Sequence, residues 1–274
     1  MIGRDDPRLR DSDGLGRKLA EAARTSATVL LAKRAARDVK LKQDGSPVCS
    51  ADLAADHAAK ESLARLFPGF PVVSEESVDS VAPGEVFILL DPLDGTREFL
   101  AGGDSYCVAI AIVCDGRPIA GAIAAPAIGR LWFAGVHAYV QDFAADGSVL
   151  GEARRIGVRA LPDDGPVVLV SRFHGDSRSD GIAATMCCSK GVPVSSAVKF
   201  GLIASGEADL HVRCGQTMEW DIAAGDAILS AAGGVVLTLD GTLPHYGVIE
   251  RQFRNPPFVA ASSEALARRA IAGC

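Results

Sequence analysis

The hydrophobic pattern along the chain changes character near its middle. Alanine-rich helical patterns cover residues 15–36 and 52–66, and Phe67-Pro68-Gly69 closes the second with helix breakers. Pro71-Val72-Val73-Ser74 then reads as a short strand running into Glu75-Glu76. The apolar run 86–90 is a buried strand. Runs at 106–113, 118–124 and 131–134, separated by Asp115-Gly116-Arg117 and by residues 126–130, predict antiparallel strands joined by turns. A loop-rich stretch at 141–151 makes a boundary. Beyond it strands at 167–170, 209–212 and 235–239 alternate with helices at 180–189, 196–205 and 221–232, and Gly233-Gly234 sits where a helix ends.

The pattern predicts an α/β fold, α+β in its first half and α/β in its second. The expected division is a flexible tail at 1–14, an α+β half at 15–145 and an α/β half at 146–274. A chain of 274 residues that is 48% hydrophobic has ample material for such a core. No apolar run approaches the roughly 18 residues of a transmembrane helix. The charged start is not a secretory signal. The formal net charge of −6, without a basic block, argues against a nucleic-acid polymer as partner. Seven scattered cysteines without Cys-x-x-Cys spacing fit a reducing, cytoplasmic setting rather than a disulfide framework or a zinc site. Peripheral association with the inner membrane face and a homodimer stay open.

Candidate chemistry concentrates in Asp91-Pro92-Leu93-Asp94-Gly95-Thr96, directly after the strand at 86–90. Two carboxylates and a backbone carbonyl are hard oxygen donors of the kind Mg²⁺ takes, and Gly95 with Thr96 lets an anion approach the backbone where the next helix starts. Alone, each acid has a plainer reading: Asp91 and Asp94 as a polar turn, Asp52 and Asp221 as helix caps. If the chain is extended at Glu75-Glu76, only one of the two can face a site there.

Four motifs in order change that balance. Ser46-Pro47-Val48 leading to Ala51-Asp52, Ser74-Glu75-Glu76, Asp91-Pro-Leu-Asp-Gly-Thr96, and Trp220-Asp221-Ile-Ala-Ala-Gly225 with Ala231-Ala-Gly-Gly234 resemble those of the inositol monophosphatase superfamily. Arg97-Glu98-Phe99, Ser195–Phe200 and Thr217–Asp221 resemble its 3′(2′),5′-bisphosphate nucleotidases of CysQ type. The resemblance covers about residues 42–260. It implies a layered αβαβα sandwich of the inositol monophosphatase and fructose-1,6-bisphosphatase type, with the site between a metal-binding half at 15–145 and a substrate-binding half at 146–274. It further implies two or three Mg²⁺ ions held by Glu75, Asp91, the Leu93 carbonyl, Asp94 and Asp221, with Asp52 and Thr96 activating the attacking water. The implied substrate is a small phosphate ester, 3′-phosphoadenosine 5′-phosphate, hydrolysed to AMP in sulfur assimilation. Gly95, Thr96 and Asp221 would meet it, and Ser171, His174, Ser196 and Lys199 would serve its second phosphate. For Lys199 and His174, a helix residue reaching for solvent and an exposed loop residue are nearly equal readings. Arg213 is either a phosphate contact or part of a surface ion pair.

Departures exist as well. Cys49 and Ser50 stand where nucleotidases often carry Thr and Ala, and Ala197 replaces a serine. Inositol phosphates and fructose bisphosphate remain alternative substrates. A haloacid-dehalogenase-like phosphatase is disfavoured because two residues, not one, separate the aspartates. A catalytically silent metal- or nucleotide-binding protein is the remaining rival.

Overall fold

The computed structural model describes residues 2–35, 38–41, 47–80, 83–173, 175–186 and 191–273. Helices α1 (Ser12–Ala32) and α2 (Ser50–Leu66) open the chain, with two-residue strands β1 (Lys40–Leu41) and β2 (Pro47–Val48) between them. Asp11 caps α1 by accepting the Gly14 N–H at 2.9 Å, which starts the helix ahead of its apolar pattern. Residues 2–11, expected as a tail, lie on the body: the Arg8 guanidinium sits 4.8 Å over the Phe70 ring and donates to the Pro68 carbonyl at 2.8 Å.

A seven-stranded sheet comes next, in sequential order: β3 (Val72–Ser74), β4 (Val86–Asp94), β5 (Cys107–Cys114), β6 (Arg117–Ala125), β7 (Arg130–Ala134), β8 (Ala138–Phe143) and β9 (Val149–Arg155). β3 and β4 are parallel and the remaining pairs antiparallel. The stretch at 141–151, expected as loop, is therefore mostly the β8–β9 hairpin, and the sheet runs on to Arg155. Exposed, polar β9 carries no apolar alternation that a sequence pattern could register.

Both faces of this sheet are covered. Val86, Ile88 and Leu90 of β4 pack with α1 and α2, while Phe87 and Leu89 point to the other side, against α6 (Glu219–Ala231) and α5 (Val198–Ala204). Small residues let α6 come close. A Cβ on Gly121 of β6 would lie 2.7 Å from the Ala224 carbonyl, and one on Gly201 of α5 would strike the Trp132 ring.

Behind α5 and α6 stands a five-stranded mixed sheet, ordered β11 (Val192–Pro193), β10 (Val168–Val170), β12 (Leu210–Arg213), β14 (Phe258–Ala261), β13 (Val235–Thr238). Helices α4 (Ser177–Thr185) and α7 (Glu264–Ala272) close its outer face through Ile182, Leu266 and Ala270. The result is the expected five-layer αβαβα sandwich. β14 and α7 have no counterpart among the elements expected from the sequence. Among the described residues no helix is long and apolar enough to cross a membrane.

Candidate active site

β4 carries Asp91 into the middle of the molecule by simple alternation. Asp91 continues the Phe87–Leu89 face, which looks toward α6. Three residues later, Asp94 would point the opposite way in a regular strand. The ladder breaks instead: Asp91 pairs with Ala109 and Asp94 with Cys107, so three steps on β4 match two on β5. This bulge over Pro92-Leu93 returns Asp94 to the side of Asp91 and turns the Leu93 side chain into the α1/α2 core. A two-residue spacing separates the aspartates onto opposite faces only in a straight strand, and β4 is not straight here.

The chain then turns at Gly95, whose φ of 95° favours glycine, into the five-residue helix α3 (Thr96–Leu100). The Thr96 hydroxyl reaches Asp52 Oδ1 at 3.1 Å and the Leu93 carbonyl at 3.2 Å. Asp52 is buried in the first turn of α2, and its Oδ2 also accepts the Cys49 N–H and Sγ–H, each at 2.9 Å. The capping and Thr96-pairing readings of Asp52 coexist. Burial pushes the Cys49 thiol up to about 11, and the Asp52 carboxylate adds to the shift.

Asp221 sits one turn into α6, accepting the Met218 N–H at 2.7 Å; it closes a capping box from the third helical position rather than forming the cap itself. Glu75 begins a 3-10 segment (Glu75–Ser80), so the extended-chain premise for Glu75-Glu76 fails, although Glu75 does face the site.

These elements enclose one cavity of about 820 Å³. Glu75, Asp91, Leu93, Asp94 and Asp221 line it, as do Gly95 and Thr96 at the turn and Ser171, Ser196 and Lys199 from the second half of the chain. Asp52 stands behind Thr96, outside the lining. His174 lies outside the described residues, as do Ser46 of the first motif and Cys187-Cys188.

Crowding of the acids shows in their proton affinities. Burial, then the charges of Glu75, Asp94 and Asp221, push the Asp91 carboxyl well above the usual carboxylate range. Burial and the charges of Asp94 and Glu75 do the same to Asp221. Asp94 rises to about 6, chiefly through burial, with Lys199, the Ala197 N–H (2.5 Å) and Arg213 pulling it back. Among the described residues no three His, Cys, Asp or Glu side chains draw together tightly enough to hold a metal ion as they stand. The four carboxylates thus share a cavity without forming a closed cage. Their donor chemistry nonetheless fits Mg²⁺: oxygen only, anionic, and held at mutual repulsion that a cation relieves.

Lys199, in the same cavity lining, is buried, donating to the Val194 and Ser196 carbonyls at 3.2 and 2.8 Å, so it does not reach for solvent. Burial lowers it to about 8, against the pull of Asp94. Arg213 is also buried in the cavity wall, near Ser171 at 3.5 Å, which removes its surface ion-pair reading. Ser196 adopts φ of 59° and lets Ala197 N–H reach Asp94. One clamp was not anticipated from the sequence. Glu98, 1% exposed, binds Arg172 at 2.6 Å and the Ser195 hydroxyl at 2.7 Å, tying α3 to the second half across the cavity. Its sequence signal was its place in Arg97-Glu98-Phe99, a nucleotidase-like segment that does not reveal the partners of the glutamate.

Residues 14–272 match the inositol monophosphatase family, and the chain belongs to it, among the phosphoric monoester hydrolases. Within that family it is similar to proteins named 3′(2′),5′-bisphosphate nucleotidase CysQ. One from Salmonella typhimurium is 36% identical over 79% of this chain and 86% of that protein. Another, from Buchnera aphidicola, is 33% identical over 82% and 84%. The crystal structure of CysQ from Bacteroides thetaiotaomicron superposes with a TM-score of 0.77 at 27% identity, covering 91% of this chain and 97% of that one.

Proposed function

We infer that this chain is a Mg²⁺-dependent 3′(2′),5′-bisphosphate nucleotidase that hydrolyses 3′-phosphoadenosine 5′-phosphate to AMP and phosphate. The observation that carries the reading is one cavity lined both by carboxylates on β4 and α6 and by the buried cations Lys199 and Arg213. An ester with one phosphate at the carboxylates and a second at Lys199 and Arg213 uses both sets, and the volume suits a nucleotide. The names of the relatives favour the same substrate.

Glu75, Asp91, the Leu93 carbonyl, Asp94 and Asp221 would hold two or three Mg²⁺ ions. Bound there, the metal supplies charge stabilisation for the phosphate oxygens and lowers the pKa of a water. The protein does the rest. Asp52 Oδ1 holds the Thr96 hydroxyl, so Thr96 Oγ1 presents its free lone pair to a water at the cavity floor. Asp52 is the acceptor at the end of that relay. Lys199, Ser196, Ser171 and Arg213 orient the second phosphate. The thiols of Cys49, Cys107, Cys114 and Cys214 are free, which favours the cytoplasm as the working compartment.

The test is phosphate release from adenosine 3′,5′-bisphosphate, inositol 1-phosphate and fructose 1,6-bisphosphate, each with Mg²⁺ and with EDTA. Preference for the first, lost in EDTA, is expected. Preference for either other ester refutes the substrate, and full turnover in EDTA refutes the metal.

A further inference from the structure

Residues 244–255 form a strap whose regular structure is a 3-10 turn at Ile249–Arg251. Ile249, Gln252, Phe253 and Arg254 of the strap line the cavity. Two consecutive residues, Gln252 and Phe253, have φ of 54° and 58°, a region that side-chain-bearing residues rarely adopt. Such a backbone persists only where its surroundings over-determine it.

Two buried acids on α6 supply that constraint. Glu219 and Asp226 lie seven residues apart, about two turns, and so share one face of the helix. Glu219, 0% exposed, accepts the N–H groups of Gly247 at 2.5 Å and Val248 at 3.2 Å and a guanidinium N–H of Arg251 at 3.5 Å. Its own N–H donates to the Phe253 carbonyl at 2.8 Å. Asp226 accepts the Tyr246 hydroxyl at 2.8 Å and pairs with Arg117 at 3.5 Å. Neither acid faces the cavity, whereas Trp220 and Asp221, next to Glu219, do. Trp220 meets the Phe253 ring at 5.9 Å.

We propose that Glu219 is a positioning residue for substrate selection, fixing the strap as the wall that meets the part of the ester beyond its reacting phosphate. The apolar faces of Ile249, Phe253 and Trp220, flanked by Gln252 and Arg254, suit a flat ring with polar edges, the shape of a nucleobase. This rests on the phosphatase reading of the cavity and adds to it the residue that sets substrate size.

Glu219→Gln keeps the volume but removes the charge that binds two amides and a guanidinium. Amide exchange and steady-state kinetics read the effect, with adenosine 3′,5′-bisphosphate as the large ester and 2-glycerophosphate as the small one. Exchange within 244–255 is expected to quicken about tenfold, with β4 unchanged, and KM for the large ester to rise about tenfold. Both kinetic constants for the small ester should hold. Wild-type exchange in the strap, or equal loss on the two esters, overturns the proposal. Arg251→Ala, on the outer side of the strap, gives the same comparison with a smaller effect of about threefold if Glu219→Gln does not fold. If the wild type cleaves inositol 1-phosphate and not the bisphosphate, the nucleotidase reading fails; that ester then takes the large-ester place and the strap is still tested.

Discussion

Asp52→Asn removes a charge at nearly constant volume, and the groups around Asp52 determine how much the fold and the chemistry each lose. In the wild type Oδ2 takes two donors from Cys49 and Oδ1 takes one from Thr96. An asparagine can keep its carbonyl oxygen on Cys49 and turn its NH₂ to Thr96 Oγ1. The Thr96 proton then goes to the Leu93 carbonyl, already 3.2 Å away. Every polar group stays paired, so the stability loss is that of exchanging a charged cap for a neutral one, about 1–2 kcal/mol. In a chain of this size each kcal/mol lowers Tm by about 2–4 °C. Turnover should suffer far more, because an amide cannot take the proton; a lost general base typically removes about 10²–10⁴ in kcat. Scanning calorimetry beside phosphate release at saturating substrate separates the two effects. A kcat within about threefold of wild type would refute Asp52 as the proton acceptor. Thr96→Ala should lower kcat through the same relay, and the double variant should lose little more than either alone.

Lys199, Asp91 and Gly201 give three independent tests. Burial lowers Lys199 from 10.5 to about 8, so the folded chain binds fewer protons than the unfolded chain between those values. This group therefore adds stability as pH rises through the window, while its full burial penalty stands below about 8. If its charge holds the second phosphate, KM should climb above about pH 8 and flatten in Lys199→Met; a KM constant to the top of that window would count against the role. Asp91→Asn should abolish both turnover and the rise in Tm that Mg²⁺ gives the wild type, with the metal-free fold retained; an unchanged Mg²⁺ shift in that variant would remove Asp91 from the ligand set. Gly201→Ala drives a methyl into the Trp132 ring and should destabilise by about 1–3 kcal/mol in urea, independently of any chemistry. An unaltered midpoint would show that α5 has room to spare.

The parts legible in the sequence were those encoded by strong local patterns. Strands β4 to β7 combine apolar runs with Asp-Gly or Pro-containing turns, and α1, α2 and α6 repeat alanine at helical spacing. What escaped depends on distant partners. Polar β9 is a strand because β8 offers it an edge. Glu75 faces the cavity from a 3-10 turn that no alternation rule anticipates, and the bulge in β4 reverses the side on which Asp94 emerges. Glu98 and Glu219 stand inside the nucleotidase-like segments Arg97–Phe99 and Thr217–Asp221, but their partners are distant: Arg172 and Ser195, 74 and 97 residues away, and the strap amides 28 and 29 residues downstream. The acids lining the cavity were visible as residues, while the contacts made by the clamps that shape it were not.

The kink that aligns Asp91 with Asp94 has a bearing on how the molecule comes apart. If these acids bind cations as proposed, Asp91 and Asp94 ride on a single stretch of main chain and keep their spacing through connectivity, whereas Asp221 and Glu75 arrive on separate elements. Thermal loosening would strip the visiting donors first and leave the tethered pair behind. Cation affinity would then fade in two stages on heating, a weak remnant of binding outliving the tight one.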